Sequence, residues 1–270
     1  MNDHWIVAFY ALTDDLMKAS DHVSHPLAHV SDAEVVTVAV VAAAYFHNHH
    51  ERALWVLQRL GYLSGHLSTS RFNRRLHRLA SWLDAVLQLT SALAAQASLF
   101  IIDTLPIPVC RRVRARRCRK VRGSPYYGVC PATEQRFFGW RLHILYSLDG
   151  IPVSYDLVPA RYHDLTAIHE LTFGLAANAR VLGDKGFNSG ADETSIRDAT
   201  GVRLVPKRKQ NMQPHRWADE YDLRHYRRRA ETFHSQLVKM GLQQLHARTQ
   251  AGVELKLVAS LLALTFLNLY

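Results

Sequence analysis

The chain has 270 residues, 48% hydrophobic and 21% charged, which is the composition of a folded globular protein and excludes a disordered or low-complexity chain. Lys and Arg number 33 against 23 Asp and Glu, a formal +10; residues 1–98 hold seven bases and eight acids, so the whole excess lies in residues 99–270 and predicts a polyanionic partner, nucleic acid rather than membrane. No apolar run reads as long enough to span a membrane, MNDHWIVAFY lacks a signal-peptide pattern, and three cysteines without CxxC spacing suggest neither a disulfide framework nor a zinc site, so a cytoplasmic protein is expected.

The first part reads as helices. Ile6, Phe9, Tyr10, Leu12 and Leu16 recur at helical spacing over Asp3–Lys18. Ser31-Asp32-Ala33-Glu34 is an S-x-x-E capping box ahead of an apolar helix over Ala33–Phe46. A short helix follows over Glu51–Leu60, then Gly61 and Gly65. In LSTSRFNRRLHRLASWL, Ser68 or Ser70 would cap a helix with Phe72, Leu76 and Leu79 inward and Arg71, Arg74, Arg75 and Arg78 outward. A helix, a glycine turn and an Arg-rich helix form the outline of a helix-turn-helix, so residues 1–98 are expected to be an all-α, DNA-binding domain. His47, His49 and His50 in FHNHH read as a solvated helix end.

The pattern changes at residue 99. Leu99–Ile102 is wholly apolar and stops at Asp103, which predicts a buried strand ending in a carboxylate. RRVRARRCRKVR, residues 111–122, has eight bases and no acid, and reads as a phosphate-contacting loop: Arg111, Arg112, Arg114, Arg116, Arg117, Arg119 and Lys120 are its DNA-binding candidates. Phe137–Leu148 and Ile151–Val158 predict a hairpin around Asp149-Gly150. His163-Asp164 would cap a helix over Leu165–Leu175; Ala179–Gly183 would be a strand ending at a second carboxylate, Asp184. A helix near Ala191–Asp198, a strand over Val202–Val205, a long helix over Leu223–Met240 and an apolar helix over Val253–Leu269 complete the chain. The expected fold of residues 99–270 is therefore α/β, a mixed five-stranded sheet flanked by helices.

A carboxylate closing an apolar strand is costly unless paired, hydrogen-bonded or ligating a metal. If the first and fourth strands are neighbours, Asp103 and Asp184 meet, and two like charges at that distance call for a cation such as Mg2+ or Mn2+. Glu231 lies in the long helix, with Arg227 one turn before it and Arg224, Arg228 and Arg229 around it. Arginines suit bidentate phosphate contacts, which makes Arg227 and Arg228 further DNA-binding candidates. His143 is a candidate to support the site, and Trp140 and Trp217 to stack an unpaired base.

FIIDTLPI, GWRLHILYSLDGIPVSYDLVPARYHDL, VLGDKGFNS, RRRAETFHSQL and VELKLVASLLALTFLNL, in this order over about residues 99–269, resemble a DDE transposase of bacterial insertion sequences. The resemblance implies an RNase H-like catalytic domain over residues 99–270. It implies three acids holding two divalent metal ions: Asp103, Asp184 in Gly-Asp-Lys-Gly, and Glu231 in Arg-x-x-x-Glu. Related enzymes often show Tyr-x-x-Arg-x-x-x-Glu with Lys seven residues on; here Arg224 takes the tyrosine's place and Val238 the lysine's, with Lys239 next.

The implied chemistry is direct attack of water or a 3′-hydroxyl on a phosphodiester, helped by Mg2+ or Mn2+ and without a covalent enzyme intermediate. The implied partners are the terminal inverted repeats, target DNA and a second copy of the chain on DNA, in a bacterial cytoplasm beside the nucleoid. Two alternatives remain at this level, an RNase H-like nuclease without strand transfer and a catalytically inactive DNA-binding protein. All three acids being present argues against the latter.

Overall fold

The computed structural model describes residues 3–130 and 134–269. The helices are α1 (Asp3–Ala19), α2 (Asp32–Phe46), α3 (His50–Arg59), α4 (Thr69–Arg78), α5 (Ala80–Ala94), α6 (Ile168–Thr172), α7 (Gly190–Thr200), α8 (Trp217–Tyr226), α9 (Arg229–Lys239) and α10 (Gln250–Leu269). The strands are β1 (Leu99–Cys110), β2 (Tyr127–Cys130), β3 (Gln135–Ser147), β4 (Pro152–Pro159), β5 (Arg180–Gly183) and β6 (Arg203–Pro206). Two compact units emerge: residues up to Leu89 together with those from Gln236 onward, and residues 90–235.

Unit one is helical. The capping box of α2 forms as its sequence predicts: the Ser31 hydroxyl accepts from Glu34 N–H, and the Glu34 carboxylate accepts from Ser31 N–H. Glu34 is also held by Ser64, whose N–H and hydroxyl donate to it, tying the segment before α4 to the start of α2. α2 is apolar on nearly every side because it is enclosed on nearly every side, with α1, α3 and α10 all packed against it.

Three features of the helical unit bear on the sequence expectations. α10 is, by length and composition, apolar enough to cross a membrane, although Glu254 and Lys256 interrupt its run; two thirds of its most apolar window is buried within the protein. Residues 236–269 pack with the N-terminal helices, so these compact units divide the chain differently from segments 1–98 and 99–270. Finally, residues 60–68 separate α3 from α4, longer than the three- or four-residue turn of a helix-turn-helix; the three-residue turn instead joins α2 to α3.

Unit two is a mixed sheet flanked by helices, as the RNase H-like expectation requires, with six strands instead of five in the order β2-β3-β1-β5-β6 and β4 also paired to β3. The added strand, β2, has four residues and pairs only the start of β3, too short to show an apolar period. β3 and β4 form the hairpin predicted by Asp149-Gly150, and Gly150 has the φ of +82° that such a turn asks of glycine. β1 continues through Asp103 to Cys110, instead of stopping there, because β3 pairs it antiparallel throughout that length. Pairing with β5 is parallel and confined to Leu99–Ile101, which leaves that edge of β1 open where Pro106 and Pro108 supply no N–H.

Alternation along β1 sends Phe100 and Ile102 into a core with Leu145, Leu171, Val181 and Phe187. Leu99 goes to the opposite face with Leu182, Val205 and, from α8, Leu223. Each fully buried side chain of this size contributes about 1.5–3 kcal/mol, so the two apolar sets lock the register of β1. The expected helix over Leu165–Leu175 is only a 3-10 turn, Asp164–Ala167, followed by α6. The expected long helix over Leu223–Met240 is two helices, α8 and α9. At the break, Ala230 N–H bonds Arg227 O and Glu231 N–H bonds Arg228 O, a tightened three-residue turn.

Candidate active site

β1 and β5 are neighbours, and their register pairs Ile101 with Leu182. Two residues further on, that register sets Asp103 level with Asp184, the first residue past β5. Asp103 shares the face of Leu99, the face on which α8 packs. Asp184 precedes the turn Lys185–Phe187. A Cβ on Gly186 would lie 2.5 Å from Asp164 Oδ2, so a side chain there would have to displace the end of Asp164.

The break between α8 and α9 presents Arg227 to all three acids. Its guanidinium lies 4.0 Å from Asp103 Oδ2, 3.4 Å from Asp184 Oδ2 and 3.5 Å from Glu231 Oε1. The acids differ in exposure: the side chain of Asp103 is 16% accessible, that of Asp184 46% and that of Glu231 66%. Asp103 accepts from Thr104 N–H at 2.9 Å, and His234 Nδ1 is 3.8 Å from its other oxygen. Burial pushes the Asp103 carboxyl above its ordinary value, and nearby Asp184 pushes it further; His234, the Thr104 N–H and Arg227 oppose the shift. Burial lowers the pKa of His234, and its Nε2 is buried without a hydrogen-bond partner. Tyr146, edge-on to His234 with ring centroids 5.9 Å apart, is fully buried, and burial followed by the charge of Asp103 raises its phenol well above the ordinary value.

A hard divalent cation prefers oxygen ligands, and three carboxylates are such a donor set. The residues fit that group in kind. Among the described residues, however, no three His, Cys, Asp or Glu side chains gather at ion-holding spacing. The three carboxylates are arranged around a guanidinium, which already supplies the positive charge their mutual repulsion requires.

The other expected site residues divide into exposed and engaged. Arg71, Arg74, Arg78 and Arg228 are exposed, as are Arg111, Arg112, Arg114, Arg116, Arg117 and Arg119. The basic loop is not formless: Arg112–Arg117 is a 3-10 helix, with Ala115, Cys118 and Val121 buried beneath the arginines. Arg75 instead pairs with Asp32 and donates to Val30 O at 2.7 Å, and Lys120 donates to Val109 O. Trp140 is buried against Tyr126, whereas Trp217 is exposed, 5.6 Å from Tyr221. His143 is fully buried, with both ring nitrogens unpartnered.

Two residues of this neighbourhood escaped sequence reasoning. His234 stands three residues after Glu231, a spacing that places both on one helix side and was available as a signal. Asp164 reads as a helix cap, yet Arg141 donates to it at 2.9 Å beside Thr104, the neighbour of Asp103. Nothing local in its sequence marks that role.

The family model for the transposase DDE domain matches residues 94–266. This chain belongs to the DDE transposase family. No curated protein and no solved structure matches it. As a transposase of this family it is a polynucleotidyl transferase or nuclease acting on DNA, and the family generally depends on divalent metal.

Proposed function

We propose that this transposase binds the terminal inverted repeats of its own insertion sequence, cuts a DNA strand there and joins the end to target DNA by direct phosphodiester attack. Asp103, Asp184 and Glu231 are its catalytic acids and would hold two Mg2+ or Mn2+ ions. The observation that carries this reading is the gathering of all three carboxylates within 4.0 Å of Arg227. The ions, when bound, would activate the attacking hydroxyl and stabilise the leaving oxygen.

The chain's own residues do the rest. The acids supply negative charge from β1, the end of β5 and α9. Asp103, largely buried, is the most fixed of them, and Glu231, the most exposed, has the most room to adjust. Arg227 is within reach of the same space and would turn its planar fork to a phosphate once the acids have another cation. Arg228 and the exposed arginines of residues 111–119 would hold the DNA backbone, and Arg71, Arg74 and Arg78 of α4 would contact the terminal repeat. Work on two DNA ends implies a dimer on DNA, in the bacterial cytoplasm beside the nucleoid.

A labelled terminal-repeat duplex incubated with the chain, a target plasmid and Mg2+ tests the proposal. The expected products are a cleaved end and an end joined to target. Cleavage without joining would make the protein a nuclease, and binding without cleavage an inactive DNA-binding protein.

A further inference from the structure

On the face of the sheet opposite Asp103, Phe100 and Ile102 of β1 and Leu145 of β3 lie in one apolar core. Directly beyond them the same face turns polar. Thr104 follows Ile102 at the two-residue spacing of a strand, His143 is its register partner on β3, and Arg141 lies two residues along on the same side. His143 is fully buried with both ring nitrogens unpartnered, and the Arg141 side chain is largely buried, with its Nε unpartnered. Polar groups in such a place are costly, and well-packed apolar residues would serve the fold as well.

The acid that answers them is Asp164. His163 caps the turn Asp164–Ala167, its ring accepting from Leu165 N–H at 3.4 Å, so the carboxylate of Asp164 is turned to other partners. Oδ1 accepts from Arg141 Nη1 at 2.9 Å, and Thr104 Oγ1 stands 3.5 Å from the same oxygen. Arg141 is fixed in turn by donating to Val129 O at 3.2 Å. Oδ2 faces the turn Lys185–Phe187 at the close approach already described for Gly186. That turn is anchored on its other side by Phe187, buried in the core with Ile102. Asp184 is the residue that opens the turn, and Thr104 is the residue whose N–H donates to Asp103 at 2.9 Å. One carboxylate thus lies against the local supports of two of the three acids.

We propose that Asp164 is a positioning residue for the transposase: held by Arg141, it braces the turn carrying Asp184 against β1 at Thr104 and so fixes the separation of the Asp103 and Asp184 carboxylates. This role rests on the reading of those two residues as metal-holding acids. Like charges in one site repel, and Asp184 is half-exposed at the end of a strand of only four residues, so the strand alone resists that repulsion weakly. Arg227 offsets the repulsion through charge, and another cation can take its place there. The brace acts through backbone and shape, whichever cation is present. Asp164 works through Gly186 and Thr104, not on the reacting atoms.

The test reads the Mn2+ affinity of the full chain by paramagnetic resonance, without DNA, beside cleavage of the terminal-repeat duplex with Mg2+. A merely stabilising ion pair would not move the Mn2+ affinity of folded protein, and urea midpoints check that each variant is folded. Asp164→Ala removes the brace. It should weaken Mn2+ binding and slow cleavage by about 10–100-fold each, the range for groups that orient metal ligands, while duplex affinity stays within about twofold. Asp164→Asn keeps the volume against Gly186 and an oxygen for Arg141, so it should recover most of the Mn2+ affinity. A loss equal to that of Asp164→Ala would assign the effect to negative charge and overturn the brace. Gly186→Ala reaches the same contact from the other side by displacing the end of Asp164, and should weaken Mn2+ binding even if Asp164→Ala does not fold. Asp103→Asn is the control on the acids themselves. Mn2+ affinity that falls in Asp103→Asn but holds in folded Gly186→Ala would overturn the positioning role alone. Affinity that holds in both would overturn the metal-holding reading with it.

Discussion

Arg227 Nη2 lies 3.4 Å from Asp184 Oδ2, so a protein cation stands among the very acids proposed to hold metal. A divalent ion entering there competes with a guanidinium, and the guanidinium, once displaced, is free for phosphate. Arg227→Ala should therefore bind Mn2+ more tightly, roughly tenfold for the removal of one nearby positive charge in a partly solvated site. The same variant should cleave DNA at least about a hundredfold more slowly, because its transition-state charge loses a preorganised donor. Paramagnetic resonance titration of Mn2+, set beside the cleavage assay, checks both halves. Unchanged Mn2+ affinity would remove the competition.

Glu231→Gln should separate binding from chemistry. The side chain is 66% exposed, so the fold should change by no more than about 0.5 kcal/mol. Cleavage with Mg2+ should collapse, while binding to the terminal repeat should persist or tighten slightly. Cleavage near the wild-type rate would reduce Glu231 to a surface partner of Arg227 and send the search to Glu220 or Glu254.

Neutralising Arg112, Arg114 and Arg116 together should leave the fold intact, since all three are exposed and Ala115, between them, carries the burial. Duplex binding should then show a log–log salt slope shallower by about 0.9 for each phosphate left unneutralised. The readout is affinity measured across a range of salt. An unaltered slope would take the basic turn out of the interface.

Stability should fall in mild acid. Burial holds His143 and His50 down at about 4, below the 6.5 of an unperturbed imidazole. Between those values the unfolded chain binds more protons than the folded one. The stability present above 6.5 is therefore lost as pH falls toward 4, by at most about 1.4 kcal/mol per pH unit for each ring. Urea midpoints across that window measure the slope, and His143→Leu should make it shallower.

Asp219 is a separate test of the framework. Its carboxylate is 4% exposed and accepts from Arg180 at 3.2 Å and Arg203 at 2.6 Å, joining α8 to β5 and β6. Those two arginines hold its pKa below the ordinary value against the opposing effect of burial. Asp219→Asn should cost about 2–4 kcal/mol, at or below the range for breaking a buried pair because Arg203 is partly solvated. Chemical denaturation provides the measure, and a change within about 0.5 kcal/mol, the ordinary range for a surface substitution, would show that the network is not holding α8.

Local sequence was enough to set the capping box at Ser31–Glu34, the hairpin at Asp149-Gly150 and the end of β5 ahead of Asp184, because neighbouring residues decide each of these. The order of motifs was also enough to name the family and nominate three acids. What the chain alone did not decide was whatever distant partners decide. Asp103 looked like the end of a strand, and only β3 extends β1 past it. Arg227 looked like one of several helical arginines, and only the break between α8 and α9, beside a parallel β1–β5 pair, turns it toward three carboxylates. α10 looked like part of the second segment, yet its apolar faces are buried with α2 in unit one. Apolar periodicity says that a face will be buried; which face covers it is a long-range packing choice, made when the whole chain closes on itself.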